Sequence, residues 1–338
     1  MTAHVAAPPT ASATTDYPIP LATPAAVDTP AAVTTTTTLS PLQRHPFLLG
    51  PGLSIAFVVM WTGGYIAGPI GVSAANPLAL CFWRFGIAAA ALTLLAVLTR
   101  ARWPESRAAW GQVIATGLLM QAGMFSFAYL GLSLGAPVAL VAIANGASPV
   151  LVALGGVLLL RERLLPVQWG GTLLGFAGLA LAVTGEWTGF AIGAAALLPV
   201  AGAIAFAAGT LVQRRTGARM DLRSGSAIQM AVAAAVTMPL AMIFEGGLYI
   251  PVTQTTVGAI AFLVVGNSGA AAALTFLMLR HRKAADSTRL MLLVAPLATL
   301  SAWPLFGQLP GPMLWIGLAV TIVGIALATR HPRHAATT

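Results

Sequence analysis

Apolar stretches of about twenty residues follow one another from about Leu48 to Thr329, and they limit the possible folds more than any other feature. A helix of that length and composition spans the hydrocarbon core of a bilayer. Only 7% of the residues are charged, whereas soluble domains average about a quarter. The mean hydropathy is +0.87, which also excludes a disordered chain. The sequence therefore predicts an all-α polytopic membrane protein.

The apolar region holds about ten spans, since each needs roughly 20 residues plus a short turn. The predicted spans are Leu48–Ile70, Pro77–Leu98, Trp110–Leu130, Pro137–Leu160, Val167–Thr184, Gly189–Val212, Ser226–Phe244, Thr256–Leu279, Ser287–Phe306 and Pro312–Thr329.

The basic residues support this count, because Lys and Arg concentrate in cytoplasmic loops. All of them except Arg84 precede the first span, follow the last one or lie around every second loop. The alternate loops, such as Gly71–Asn76 and Glu245–Pro251, contain none. Ten spans with both termini in the cytoplasm give this separation, whereas nine or eleven would lose it. The net charge of +9 is thus explained by membrane topology, and no nucleic-acid partner is expected.

Two parts of the chain resemble each other. Gly171 and Gly178 in the fifth span have the same spacing as Gly317 and Gly324 in the tenth, and similar apolar runs and loops precede both pairs. A repeat of five helices has an odd number of spans, so the second copy enters the membrane from the opposite side. The predicted architecture is therefore ten transmembrane helices as two inverted five-helix repeats, a design that suits transport.

The predicted domains follow from this repeat. Residues 1–44 are rich in Thr, Ala and Pro and indicate a disordered cytoplasmic tail, with a functional tail or an over-extended start site as alternatives. Residues 45–185 form the first repeat, residues 186–330 the second, and residues 331–338 a short C-terminal tail.

Several motifs carry a resemblance to a known family. The most specific is the block from Pro149 to Gly178, with a proline, an apolar run, Arg-Glu-Arg-Leu and then Gln-x-x-Gly. Two shorter motifs are Arg84 followed by an aromatic residue and Trp61 followed by Thr-Gly-Gly. Together these motifs resemble the EamA-type members of the drug/metabolite transporter superfamily. The resemblance implies two inverted five-helix repeats, a central cavity for small metabolites such as amino acids, and export. Gln308 stands where the family usually has a second Glu.

Arg84 is the one charged residue well inside a predicted span. An arginine at that depth should face the bundle and have a partner. It could bind a substrate carboxylate or another anion, because a guanidinium grips such groups with two hydrogen bonds. It could instead reach toward the interface or satisfy backbone carbonyls of a broken helix. The residues alone leave both interpretations open.

Uncharged polar and aromatic side chains recur at helical spacing in several spans. Such groups near the membrane midplane line a water-filled cavity or form hydrogen bonds between helices. With Arg84, the candidate substrate-binding residues are Trp61, Tyr65, Gln121, Tyr129, Asn145, Gln229 and Asn267.

No Asp or Glu lies inside a predicted span. A proton-coupled exporter of organic cations typically needs such an embedded carboxylate, so neutral, zwitterionic or anionic substrates are favoured. Glu162 is a candidate gate, or it forms ion pairs and caps a helix at the interface. Gly63, Gly64, Pro149 and Pro296 are candidate bending points or close-packing positions.

The expected function is secondary transport of a small polar metabolite across the cytoplasmic membrane by alternating access, as an exporter. A more apolar or lipid-linked substrate and a non-transport membrane scaffold are the alternatives. No catalytic residue, metal or cofactor is expected, since the histidines lie in tails or loops and the chain lacks a phosphate-binding Gly-Lys-Ser/Thr loop. The expected partners are the substrate and the lipid bilayer, with the chain a monomer or a homodimer.

Overall fold

A computed structural model describes residues 53–161, 164–185, 190–216, 221–270, 284–307 and 309–328. All of them belong to one compact unit, His45–Thr338, and the predicted tail 1–44 lies outside the described residues. The described parts are helices joined by short turns. The helices are α1 Leu53–Ala74, α2 Pro77–Leu98, α3 Arg107–Ser133, α4 Val138–Leu160, α5 Pro166–Gly185, α6 Phe190–Thr216, α7 Leu222–Phe244, α8 Gln254–Ala261, α9 Ala284–Phe306 and α10 Pro312–Ala328.

Within the described residues, six helices are long and apolar enough to cross a bilayer. They are α1, α2, α3, α4, α6 and α7, while α9 and α10 contribute the shorter apolar stretches Val294–Phe306 and Pro312–Ala328. The prediction of an all-α membrane protein with several crossings is confirmed.

Some predicted helix ends were wrong by about one turn. α1 continues to Ala74 instead of ending at Ile70, and α7 begins at Leu222 instead of Ser226. The early start of α7 has a local cause, since the Asp221 side chain accepts a hydrogen bond of 3.0 Å from the backbone N–H of Arg223 and caps the helix. Arg223, expected in a loop, therefore lies in the first turn of α7.

Two π-helical stretches, missed at the sequence level, occupy matching places in the two halves of the chain. One is Gly117–Gly123 inside α3, and the other is Phe262–Ala270, which continues α8. In the second, the Ser268 hydroxyl donates to the carbonyl of Leu263 at 3.1 Å. A π-turn widens the helix and rotates the side chains that follow it.

The main contacts between helices are preserved when the first five helices are exchanged with the last five. α2 packs along α7, and α5 packs along α10. α3 contacts α6 as α8 contacts α1, and α4 contacts α6 as α9 contacts α1. Each of these contacts has its counterpart in the other half, as expected for two copies of one fold.

The crossing of α5 and α10 depends on the four glycines that revealed the repeat. Gly171 faces Gly324 and Gly178 faces Gly317, so the two helices run antiparallel. A Cβ on Gly171 would lie 2.7 Å from the carbonyl oxygen of Gly324, and one on Gly178 would lie 2.7 Å from that of Gly317. Only glycine permits backbones to approach so closely.

Polar contacts tie both ends of the α2–α7 pair. At one end the Glu245 carboxylate accepts hydrogen bonds of 2.8 Å from the backbone N–H groups of Leu78 and Ala79, in the first turn of α2. At the other end Arg223 donates to the carbonyl of Thr99 at 3.2 Å and pairs with Asp221 at 2.6 Å. The hydrogen bond from Arg223 lowers the pKa of Asp221 to about 2.

Candidate functional site

A cavity of about 30 Å³ lies where α1, α3, α4 and the π-helical stretch after α8 meet. Its wall combines aromatic rings, aliphatic side chains and two amides. The lining residues are Trp61, Gly64, Tyr65, Pro69, Met124, Phe125, Ala128, Tyr129, Leu132, Val138, Val141, Asn145 and Asn267. We call this space the central cavity.

The central cavity brings together five of the eight substrate-binding residues proposed from the sequence: Trp61, Tyr65, Tyr129, Asn145 and Asn267. They come from four different helical segments, so their proximity is a result of the tertiary fold.

Glycines on α1 bring two neighbouring segments close to the cavity. A Cβ on Gly64 would overlap the side-chain nitrogen of Asn267, and one on Gly63 would overlap the ring of Phe262. A Cβ on Gly68 would lie 3.1 Å from the ring of Tyr129. α1 is uninterrupted at Gly63 and Gly64. In this conformation these glycines are therefore close-packing positions.

The interruption of α4 places Asn145 at the cavity. The helix consists of Val138–Gly146 and Ser148–Leu160, with Ala147 between them. Pro149 lies in the first turn of the second part, where its missing backbone N–H is tolerated. By contrast, Pro296 lies within the continuous helix α9.

Two polar atoms of the cavity lining are buried without a hydrogen-bond partner among the described residues. They are the indole Nε1 of Trp61, a donor, and Oδ1 of Asn145, an acceptor. Leaving such a group unpaired costs about 1–3 kcal/mol. Groups of this kind beside a cavity indicate where a ligand would bind.

Arg84 lies behind this wall and is not one of the residues that line the cavity. Its side chain is buried, with 1% of the residue exposed. Its Nη1 donates a hydrogen bond of 2.8 Å to the hydroxyl of Tyr129, and its Cζ lies 3.9 Å from the ring centre of Phe125 and 5.1 Å from that of Phe85. Aromatic faces attract a cation, and no acid within the described part of the chain pairs with it.

Gln121 and Gln229 are not in the cavity lining. In a regular α-helix Gln121 would share a face with Phe125 and Tyr129. It lies instead within the π-helical stretch Gly117–Gly123, which rotates it away from that face. The backbone of Gln229 packs against Gly117, whose Cβ would lie 2.8 Å from the Gln229 Cα. Glu162 and Gln308 lie outside the described residues.

The sequence pattern did not single out the aliphatic part of the wall. Met124, Leu132, Val138 and Val141 resemble the other apolar residues of a membrane helix, so nothing in the sequence marks them as cavity residues. Among the described residues, no group of three or more His, Cys, Asp or Glu side chains is placed to hold a metal ion.

A helical membrane protein whose halves pack alike around an internal cavity has the architecture of membrane transporters. The model of the EamA-like transporter family matches this chain twice, over residues 48–184 and 193–330. The chain belongs to the EamA-like transporter family, and the resemblance noted in its sequence is confirmed.

Two curated relatives are named riboflavin transporter. The one from Rhizobium johnstonii is 30% identical over 189 residues, which cover 52% of this chain and 56% of the relative. The one from Vibrio cholerae is 27% identical over 187 residues, covering 54% of this chain and 59% of the relative. The matched part of the chain thus spans somewhat more than half the length of each relative.

The fold is also similar to that of a protein of known crystal structure. The superposition has a TM-score of 0.56 with 24% sequence identity, and it covers 82% of this chain and 95% of the other. This likeness concerns the fold alone.

Proposed function

We propose that this chain is a secondary transporter of the cytoplasmic membrane that carries a small uncharged metabolite through the central cavity by alternating access. The observation that carries the proposal is the cavity itself, since aromatic walls surround two buried polar atoms without partners, Trp61 Nε1 and Asn145 Oδ1. A membrane scaffold needs no such cavity.

The proposed topology has ten spans in two inverted repeats, residues 45–185 and 186–330, with both termini in the cytoplasm. Two observations support it: the exchange symmetry of the helix contacts and the antiparallel crossing of α5 and α10 at their glycines. Inverted repeats allow a site between them to open first to one side and then to the other.

The lining of the cavity favours a flat, uncharged substrate. Trp61, Tyr65, Phe125 and Tyr129 offer ring faces and edges, and none of the residues that line the cavity is charged. Riboflavin, the compound in the names of both relatives, is a flat heteroaromatic ring system with polar edges. It is therefore the first substrate to test, ahead of the amino acids suggested by the wider family.

A more apolar or lipid-linked substrate is the second candidate. The aliphatic part of the wall, formed by Met124, Leu132, Val138 and Val141, favours it. Such a compound would leave the polar atoms of Trp61 and Asn145 unpaired, which makes it the weaker proposal.

The moving parts are proposed from the sequence. Gly63, Gly64, Pro149 and Pro296 are the proposed bending points, and Glu162 the proposed gate. Gln121 and Gln229 would reach a substrate only in another conformation.

The test is transport by purified protein in sealed vesicles. Riboflavin and a panel of amino acids would be offered outside or preloaded inside, with and without a proton gradient, and followed by fluorescence or radiolabel. Wild-type protein is expected to move riboflavin faster than empty vesicles, and net efflux in cells would establish the export that the family resemblance implies.

The variant Asn145→Ala is expected to lower riboflavin transport about tenfold, because a buried hydrogen bond is lost. Trp61→Phe removes the indole donor and should also lower riboflavin transport. Trp303→Phe is the matched control, since Trp303 lies on the exterior with 57% of its surface exposed. Equal transport by vesicles with and without protein, for every compound offered, would contradict the proposal.

A further inference from the structure

We propose that Arg84 is a positioning residue that holds the hydroxyl of Tyr129 as a hydrogen-bond donor toward the substrate. The site would then select substrates that present an acceptor, a carbonyl oxygen or a ring nitrogen, at the edge of a flat ring. This inference rests on the proposed function and specifies how its site recognises a substrate.

The first step concerns whether a substrate in the central cavity can reach Arg84. Arg84 is buried, and the Phe125 ring covers its guanidinium at 3.9 Å while Phe125 and Tyr129 themselves line the cavity. A bound substrate would meet these two rings before it met the guanidinium. Direct capture of an anion by Arg84 therefore does not fit this conformation.

The second step concerns the direction of the hydrogen bond. A guanidinium has only donors, so the Tyr129 oxygen must accept from Arg84 Nη1 at 2.8 Å. Arg84 is the one hydrogen-bond partner found for this hydroxyl within the described residues. The hydroxyl proton of Tyr129 thus remains free to be donated, and Tyr129 is part of the cavity wall.

The third step concerns the strength of the Tyr129 hydroxyl as a hydrogen-bond donor. The nearby cation draws electron density from the phenol oxygen, and the apolar surroundings screen that effect little. The Tyr129 hydroxyl becomes a stronger donor than an ordinary tyrosine. A substrate with an acceptor at this point satisfies it, whereas one with a methyl group or a donor there leaves a buried polar group unpaired.

The other unpartnered atoms of the cavity complete the pattern. Trp61 on α1 offers a second donor and Asn145 on α4 offers an acceptor. A flat ring with both acceptors and an N–H on its edges, such as a lactam or cyclic imide, could satisfy all three residues. Compounds of this chemical class, not organic anions, are the ligands that the site would take.

A double-mutant cycle tests the inference, with riboflavin as the probe and quenching of its fluorescence as the measure of binding. Tyr129→Phe and Arg84→Gln are each expected to weaken binding about tenfold. In the Tyr129→Phe background, Arg84→Gln should change the Kd by less than about twofold, because Arg84 acts through the hydroxyl. Arg84→Lys, which keeps a cationic donor, should restore part of the loss.

Two matched controls belong to the cycle. Tyr249→Phe removes a hydroxyl from an exposed tyrosine, and Arg107→Gln removes a charge from an exposed arginine. Both should bind riboflavin as the wild type does. If Arg84→Gln weakens binding equally with and without the Tyr129 hydroxyl, Arg84 acts independently and the proposal is overturned.

A second measurement needs no substrate and separates this inference from the proposed function. The Raman doublet of tyrosine reports whether its hydroxyl accepts or donates a hydrogen bond. The contribution of Tyr129, isolated as wild type minus Tyr129→Phe, should indicate an acceptor and should change in Arg84→Gln or, if that variant does not fold, in Arg84→Met. An unchanged signal would overturn the positioning role, whereas absence of riboflavin binding by the wild type would overturn only the flavin-like substrate.

Discussion

At the scale of single residues, two charged groups of this protein have unusual partners. Arg84 lies among aromatic rings and a phenol oxygen, and Glu245 accepts from the first turn of α2. Helix N-termini carry backbone N–H groups without helical acceptors and a partial positive charge, so a carboxylate there is stabilised. The sequence identified Arg84 as a buried charge needing a partner, but it placed Glu245 in an ordinary loop.

Glu245→Ala is expected to destabilise the protein by about 1–2 kcal/mol, because two N–H groups of α2 lose their acceptor. The measurement is the midpoint of thermal unfolding in detergent. Glu105→Ala is the control, since Glu105 lies in an exposed loop, and it should leave the midpoint unchanged. Equal midpoints for Glu245→Ala and the wild type would show that the contact contributes nothing to stability.

At the scale of elements, local departures from the α-helix decide which side chains face the cavity. The π-helical stretch of α3 takes Gln121 away from the face of Phe125 and Tyr129, and the interruption of α4 sets the end of the segment that holds Asn145. Pro149 marks the interruption of α4 in the sequence. The π-helical stretch of α3 had no such sign in the sequence.

The neighbouring glycines of α5 provide an internal comparison. A Cβ on Gly171 would overlap the backbone of α10 at Ala328, whereas one on Gly170 would meet nothing within 4 Å. Gly171→Ala should lower the unfolding midpoint, at a cost of about 1–3 kcal/mol. Gly170→Ala should raise the midpoint slightly. Its free energy of unfolding should increase by about 0.5–1 kcal/mol, because alanine favours the helix. Equal effects of the two variants would argue against the close crossing.

At the scale of the whole molecule, the exchange of equivalent contacts between the halves is the main organising feature. It agrees with the antiparallel crossing of α5 and α10, with the proposed odd number of helices per repeat and with the distribution of arginines among the loops. The proposed orientation follows from these three features together.

This orientation can be measured by labelling single cysteines on intact cells. Cys81 is the one native cysteine, so Cys81→Ser gives the background for Tyr249→Cys and Ser106→Cys, two exposed positions. A membrane-impermeant maleimide should label the first from outside and the second only after permeabilisation. Labelling of both from the same side would contradict the inverted arrangement.

The sequence by itself determined the membrane class, the helical architecture, the family and most helix positions. These properties depend on local composition, on the lengths of apolar segments and on where the arginines stand. The glycine pairs of α5 and α10 marked the repeat in the sequence, and the structure showed that they meet where the two helices cross. The tertiary structure alone decided that Arg84 stands behind Tyr129, that Gln121 leaves the cavity face and that Met124 and Val141 join its wall. Such relations depend on helix rotation and on contacts between distant segments, which a repeating apolar sequence does not encode locally.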